Sequence, residues 1–374
     1  MTCRLRSAPD TPKATLISLE YVALHTLRGM YSERYVSRTR DGVELAHYGF
    51  NFQWMLVGAG RRPRPTDERA LDFMNAYGFD FVRIPTDYRV WTDGFDYFHP
   101  DESILEALDR HVGACAQRGI HVALNLHHAP GYCITPDKTE VHNLWLDREA
   151  QDAFVYLWQL FATRYRDFSP DQLSFDLINE PPEIGLNGFT RANHEALVRR
   201  TIAAVRAIDP ARPITIDGLD GGNLAMPELA DLDVTHSTRG YAPYPVSHWG
   251  AEWWDGWKQG DAPRYPGVLY QGKRWDKEDI RDFYQPWLEV ERLGTRIHVG
   301  EFGCYNRTPN ADALRWLRDI VELWREFGWG CAMWNFAGPF GIIGHGRDGA
   351  RIETRRGYDV DIDLLELMTG SRVP

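Results

Sequence analysis

Disulfide chemistry has little to work with in this chain. The five cysteines (Cys3, Cys115, Cys133, Cys304, Cys331) are odd in number and form no C-x-x-C pair. That usage argues against a disulfide framework and reads as reduced thiols in a cytosolic protein. Cys115 and Cys331 lie in apolar patterns and read as core. Cys304 follows Glu301 by three residues, but no pattern supports it as a nucleophile. No apolar run approaches the roughly 20 residues a membrane span needs. The opening stretch "MTCRLRSAPDTPKATLISLEYVALHTLRGM" has a modest apolar patch, interrupted by Glu20 and followed by no small-residue cleavage site. A signal peptide is therefore not expected, and the expected location is cytoplasmic, with no membrane partner. Residues 1–29 read as an N-terminal extension, open to disorder, and residues 30–374 as one catalytic domain.

Clustered positive charge is also missing. The formal charge is −11 with no long run of one sign, which argues against a nucleic-acid partner. There is no Ser/Gly linker, no low-complexity tract and no appended module. No G-x-G-x-x-G follows the first apolar run, which disfavours an open, doubly wound nucleotide-binding sheet.

What the 374 residues do contain is an alternation. Eight short apolar runs are separated by longer stretches: 46–52, 79–85, 120–128, 173–179, 213–218, 232–237, 296–303 and 331–336. Helical spacing marks 66–77, with Thr66 as N-cap, then 101–118, 147–166, 190–208, 278–293 and 310–327. In 101–118 one face carries Ile104, Leu105, Leu108, His111, Val112 and Cys115. Gly78 and Gly119 fall just after helices, where a left-handed cap is wanted. Strands separated by helices imply a parallel sheet, and eight such units imply an α/β fold, a closed (β/α)8 TIM barrel with rim-loop insertions. A hydrophobic fraction of 43% supplies the core. The 14 Trp, 17 Tyr and 17 Phe serve either that core or a cleft of flat faces suited to sugars.

Active sites of such barrels lie where the strands end. The runs here end in Arg83, His127-His128, Asn179-Glu180, Glu301 and Trp334-Asn335, while the sixth runs out through His236 into "TRGYAPY". Glu180 and Glu301 come from runs four and seven, across the mouth from each other. Glycosidic-bond hydrolysis needs such a pair: one carboxyl protonates the leaving oxygen, the other attacks or activates water on the opposite face of the sugar. Two prolines lock the turn behind Glu180.

"LINEPP", "VGEFG", the Arg of "VRIP", "LNLHHAPG" and the Trp of "MWNF", in order along roughly residues 45–368, resemble glycoside hydrolase family 5, the cellulase and mannanase family. The resemblance implies a (β/α)8 barrel, retention of anomeric configuration, an oligosaccharide substrate, and no metal or other cofactor. It makes Glu180 the acid/base and Glu301 the nucleophile. Asn179 would hold the sugar 2-hydroxyl, Arg83 would steady Glu301, and Tyr241 would touch that nucleophile. His127, with His128 beside it, matches the family's strand-three histidine, and Trp334 its sugar platform. Glu180 should hold its proton near neutral pH while Glu301 stays charged. One position departs: where the family has H-x-Y, this chain has Arg239-Gly240-Tyr241. Arg239 either takes over a hydrogen-bonding role near the acid/base or selects a substrate.

His127 and His128 are adjacent on a strand and face opposite ways, which disfavours a shared metal ion. Asp87, Tyr88, Trp91 and Asp93 line an outer subsite or form a solvated loop. Residues 248–260 are a tryptophan-dense wall or plug, 338–349 another rim loop, and Asp217 and Asp220 simple caps. The expected activity leans to exo-acting, β-mannosidase-like cleavage of short β-1,4-linked chains. Endo-β-1,4-glucanase or mannanase is the alternative, and a non-catalytic carbohydrate-binding barrel a third.

Overall fold

Eight strands hydrogen-bond side by side, all parallel, and the first strand closes on the last. They are β1 (Tyr48–Asn51), β2 (Phe81–Asp87), β3 (His121–Ala129), β4 (Leu173–Asp176), β5 (Ile214–Asp217), β6 (Thr235–Gly240), β7 (Arg296–Phe302) and β8 (Gly330–Met333). Each pairs with its sequence neighbours, and β1–β8 pairing closes the ring. This is the expected (β/α)8 barrel. The computed structural model describes residues 47–135 and 140–370; the expected extension, residues 1–29, lies outside the described residues.

Helices α1 (Glu68–Ala76), α2 (Glu102–Ala116), α3 (Arg148–Arg164), α4 (Arg191–Ile208), α5 (Lys277–Phe283), α6 (Gln285–Arg292), α7 (Asn310–Phe327) and α8 (Ile362–Thr369) surround the barrel. On α2 the buried residues are Leu105, Leu108, His111, Val112 and Cys115, the face read from the spacing. Each fully buried aliphatic side chain of this kind contributes about 1.5–3 kcal/mol. Gly78 (φ 79°) and Gly119 (φ 66°) adopt the left-handed geometry expected after α1 and α2.

Three local expectations are corrected. The N-cap of α1 is Asp67, whose side chain accepts from the Ala70 amide, while Thr66 turns to His111. The 278–293 stretch is two helices, α5 and α6, because Pro286 has no amide to carry one helix through. The sixth strand begins at Thr235, three residues later than read. His236 is therefore buried low on β6, away from the mouth, and Arg239 is a strand residue.

Strand β7 contains a register slip just after Val299, between Val299 and Glu301 on the β6 ladder and between Val299 and Phe302 on the β8 ladder. Strict alternation would send Glu301 to the side of Val299 and away from the barrel interior. The slip restarts the alternation, so that Glu301 faces the mouth and Phe302 turns outward onto Trp324 of α7. Bulges of this sort commonly re-aim a side chain beside a functional site.

Candidate active site

The mouth of the barrel is a cleft of about 680 Å³, and Glu180 and Glu301 both line it, with His127, Tyr241 and Trp334. Beneath them lies a buried ion network. Arg83, from β2, donates to Glu301 Oε1 (2.6 Å), Asp176 Oδ2 (2.6 Å), Asn51 Oδ1 (3.1 Å) and Asn179 Oδ1 (2.9 Å). Arg239, from β6, donates through Nε to Glu180 Oε1 (2.8 Å) and through Nη2 to Asn179 Oδ1 (2.9 Å). Its two Nη atoms also grip both oxygens of Asp217.

Two guanidiniums thus accept the company of four carboxyls: Asp176, Glu180, Asp217 and Glu301. Burying four negative charges against two positive ones is costly, so protons are retained where the opposing cations are fewest. Asp217 touches both guanidiniums, lying 3.5 Å from Arg83 as well as on Arg239, and is held below the usual carboxylate range despite its burial. Asp176 has Arg83 alone and the Asp217 charge beside it. Burial and that neighbour raise it to about 7. Burial likewise raises Glu180 to about 7, with Arg239 pulling against the shift and Glu301 adding to it.

Glu301 is nearly inaccessible, and both its oxygens are engaged: Oε1 by Arg83, and Oε2 by the Tyr241 hydroxyl at 3.0 Å. Burial, reinforced by the charges of Glu301 and Glu180, keeps the Tyr241 phenol protonated and able to donate. His127 lies with Nδ1 4.0 Å from Glu301 Oε1. Burial and the two nearby arginines keep its imidazole neutral. Its ring stacks on Trp334, with centroids 5.3 Å apart and planes at 15°.

Because both arginines donate to Asn179 Oδ1, the amide is fixed the other way round at Nδ2, which faces His127 Nε2 at 3.5 Å and remains a donor. Glu180 itself sits at φ +48°, a left-handed conformation. A non-glycine residue there is strained, and one preceding proline prefers extended backbone. Three groups hold it: Pro181 and Pro182 behind it, the Asp217 carboxylate accepting from its amide (3.0 Å), and the Tyr132 hydroxyl donating to its carbonyl (2.5 Å).

The structure therefore brings together Arg83, His127, Asn179, Glu180, Arg239, Tyr241, Glu301 and Trp334. His128 is not among them. It points to the opposite face of β3, where Arg89 (2.6 Å) meets its Nδ1 and Asp87 and Glu140 lie close by. Among the described residues no group of three His, Cys, Asp or Glu side chains is arranged to hold a metal ion. Asp87, Tyr88 and Trp91 are buried and form no outer subsite. Asp217, read as a cap, is a keystone of the ion network. Tyr132, Asp176 and Tyr244 were not singled out at all, although an acid ending the fourth and fifth runs ("LSFD", "ITID") was a visible signal. The tryptophan-dense insertion is a wall: Trp253 (65% exposed), Trp254 and His248 line the cleft beside Phe340.

A family model, cellulase (glycosyl hydrolase family 5), matches residues 40–338. The chain belongs to glycosyl hydrolase family 5. It is accordingly a glycoside hydrolase. A solved structure described as a glycoside hydrolase is 55% identical, covers 88% of this chain and all of its own, and superposes with a TM-score of 0.86. Endoglucanase C of Acetivibrio thermocellus is 28% identical over 297 residues, 72% of this chain and 83% of that protein. Cellodextrinase A of Ruminococcus flavefaciens is 24% identical over 67% of this chain and 73% of that protein. Thermotoga maritima Cel5A, solved with mannotriose, shares the fold at 21% identity, with a TM-score of 0.70 over 90% of this chain and 99% of that one.

Proposed function

We propose that this family 5 enzyme is a retaining endo-β-1,4-glucanase acting on soluble cello-oligosaccharides, with Glu180 as acid/base and Glu301 as nucleophile. The observation that carries the assignment is the contrast between the two carboxyls lining one cleft. Burial leaves Glu180 prone to keep its proton, with one side-chain donor on Oε1. Glu301 accepts from Arg83 at Oε1 and from the Tyr241 hydroxyl at Oε2, so both its oxygens are fixed in place at the cleft. One is set to give a proton and the other an electron pair.

In the first step Glu301 attacks the anomeric carbon as Glu180 protonates the departing oxygen. In the second, Glu180 removes a proton from water, which attacks the same carbon and frees Glu301. Asn179 Nδ2 would donate to the sugar 2-hydroxyl, and Trp334, braced on His127, would underlie the ring. This reading replaces the exo-acting, β-mannosidase-like lean of the sequence. The relatives named endoglucanase and cellodextrinase support the glucanase alternative. A cytosolic location, inferred from the cysteine usage, belongs to the same proposal and favours short soluble chains over insoluble polymer.

The test is a panel of aryl β-cellobioside, β-glucoside and β-mannoside with carboxymethyl cellulose, followed by NMR of the first-formed anomer. Turnover of the cellobioside and the soluble cellulose, with the β-anomer appearing first, is expected. An α-anomer first would refute retention, and turnover of the mannoside alone would restore the exo reading.

A further inference from the structure

We propose that Arg239 is a positioning residue that makes Glu180 a stronger acid, easing departure of the leaving group and leaving hydrolysis of the glycosyl-enzyme as the slower half of the cycle. The inference rests on Glu180 and Glu301 being the acid/base and nucleophile, and goes beyond that assignment to the partition between the two steps.

Arg239 is 0% exposed, and its place is built for it. A Cβ on Gly222 would lie 2.4 Å from Arg239 Cγ, and one on Gly300 would lie 2.8 Å from its Nη1. Two glycines thus carve the channel through which the side chain runs. At its end both Nη atoms are occupied by Asp217, Asn179 and Ser237. The anchored fork leaves one N–H, on Nε, aimed at Glu180 Oε1 at 2.8 Å. Among the described residues this is the side chain that hydrogen-bonds the Glu180 carboxyl. A neutral imidazole, the residue type expected here, would bring no charge; a guanidinium is always charged, and this one is fully buried beside a carboxyl that is mostly so, which limits solvent screening of the pair.

The other groups facing Glu180 do not reverse its influence. The Tyr132, Tyr241 and Tyr244 phenols are kept neutral by burial, as is the His127 imidazole. Glu301 favours a protonated Glu180. Asp217 accepts from the Glu180 amide and shares its charge with the far prongs of Arg239 and with Arg83, leaving the Nε–H as the group on the carboxyl itself.

The consequence follows from the balance of each step. In the first, the bond from the anomeric carbon to the leaving oxygen breaks, its electron pair goes to that oxygen, and the oxygen takes the Glu180 proton. A carboxylate is left beside Nε–H, so Arg239 favours the change. In the second, that carboxylate must take a proton from water while the water oxygen bonds to the anomeric carbon and the ester bond to Glu301 breaks. Arg239 now opposes the change. The same contact speeds one half-reaction and slows the other.

The experiment uses an aryl β-cellobioside and three variants: Arg239→Gln, the charge-balanced pair Arg239→Gln/Asp217→Asn, and Arg239→Lys. The pair guards against a fold lost through an orphaned buried aspartate. In both neutral variants the alkaline limb of kcat/KM should move up by about one pH unit, and the pre-steady-state burst of aryl alcohol seen with the parent enzyme should shrink. Arg239→Lys should keep the limb within about half a unit of its original place. A limb that stays put or moves down in a folded neutral variant overturns the proposal, as does the lack of a burst in the parent. Glu180→Gln and Glu301→Gln run alongside: full activity in those two would refute the assignment of the glutamates, a failure distinct from that of Arg239.

Discussion

The Tyr132 hydroxyl donates to the main-chain carbonyl of Glu180 at 2.5 Å, so a residue from the hairpin after β3 pins a strained residue after β4. One hydrogen bond of this type contributes about 0.5–1.5 kcal/mol. Tyr132→Phe should therefore lower kcat by roughly 2–12-fold, by that same energy, with little change in KM. Steady-state kinetics on the aryl cellobioside checks this; a changed KM at constant kcat would place Tyr132 in binding instead.

With Glu180 as the proposed acid/base, its protonation should set one limb of the pH profile. The carboxyl is raised by burial to about 7, and the first step needs it protonated. Activity should therefore fall as pH rises through about 7. Initial rates of kcat/KM across pH 4–9 read this directly, and in Glu180→Gln the limb should vanish along with about 10²–10⁴-fold of the activity toward unactivated substrates.

The same group bears on stability with a definite sign. Its folded pKa lies above its ordinary value, so the folded state holds the proton more tightly than the unfolded one. Stability is then lost as pH rises from about 4.5 through about 7. Glu180→Gln removes that loss and should stabilise the protein at pH 8 by roughly 1–3 kcal/mol, while gaining less at pH 5. Thermal melts at the two pH values decide it; an equal shift at both would mean the effect is packing.

Asp217 should behave in the opposite way. Removing it leaves the Arg239 guanidinium buried with less than its share of negative charge, a change that typically costs about 3–5 kcal/mol. Asp217→Ala should lower the melting temperature on the order of 5–10 °C and weaken activity with it. An unchanged melt would show that Glu180 and Asn179 suffice to hold the cation.

Trp253, exposed on the cleft wall, tests how much the insertion contributes to binding. Trp253→Ala should raise KM for cellotetraose about 2–12-fold, the worth of one aromatic contact, without moving the melt. An unaffected KM would return the insertion to the role of a plug.

Much of this was legible beforehand because periodicity and strand-end chemistry are local. The apolar runs located all eight strands, and Glu180 and Glu301 stand at the mouth, with Arg83 and Asn179 buried directly beneath them, as their places in those runs implied. What stayed hidden depends on register or on which residues meet across the barrel. The late start of β6 moved His236 out of the site and brought Arg239 onto the strand. Asp176 and Asp217 gain their importance from two arginines 93 and 22 residues away in the chain, a meeting no window of sequence displays. Tyr132 was invisible for the same reason. His128 shows the converse: proximity to His127 in sequence put it on the candidate roll, and the pleat sent it to the other side.

The slip in β7 has a last implication for anyone reshaping this enzyme. The aim of the Glu301 carboxyl is decided by a miscount in hydrogen bonding one residue earlier, so it is acutely sensitive to length. Deleting or duplicating a single residue around Val299–Gly300 would swing the carboxyl out of the mouth and Phe302 into it. Transplanting the motif onto another barrel would carry the chemistry only if the irregularity travelled with it.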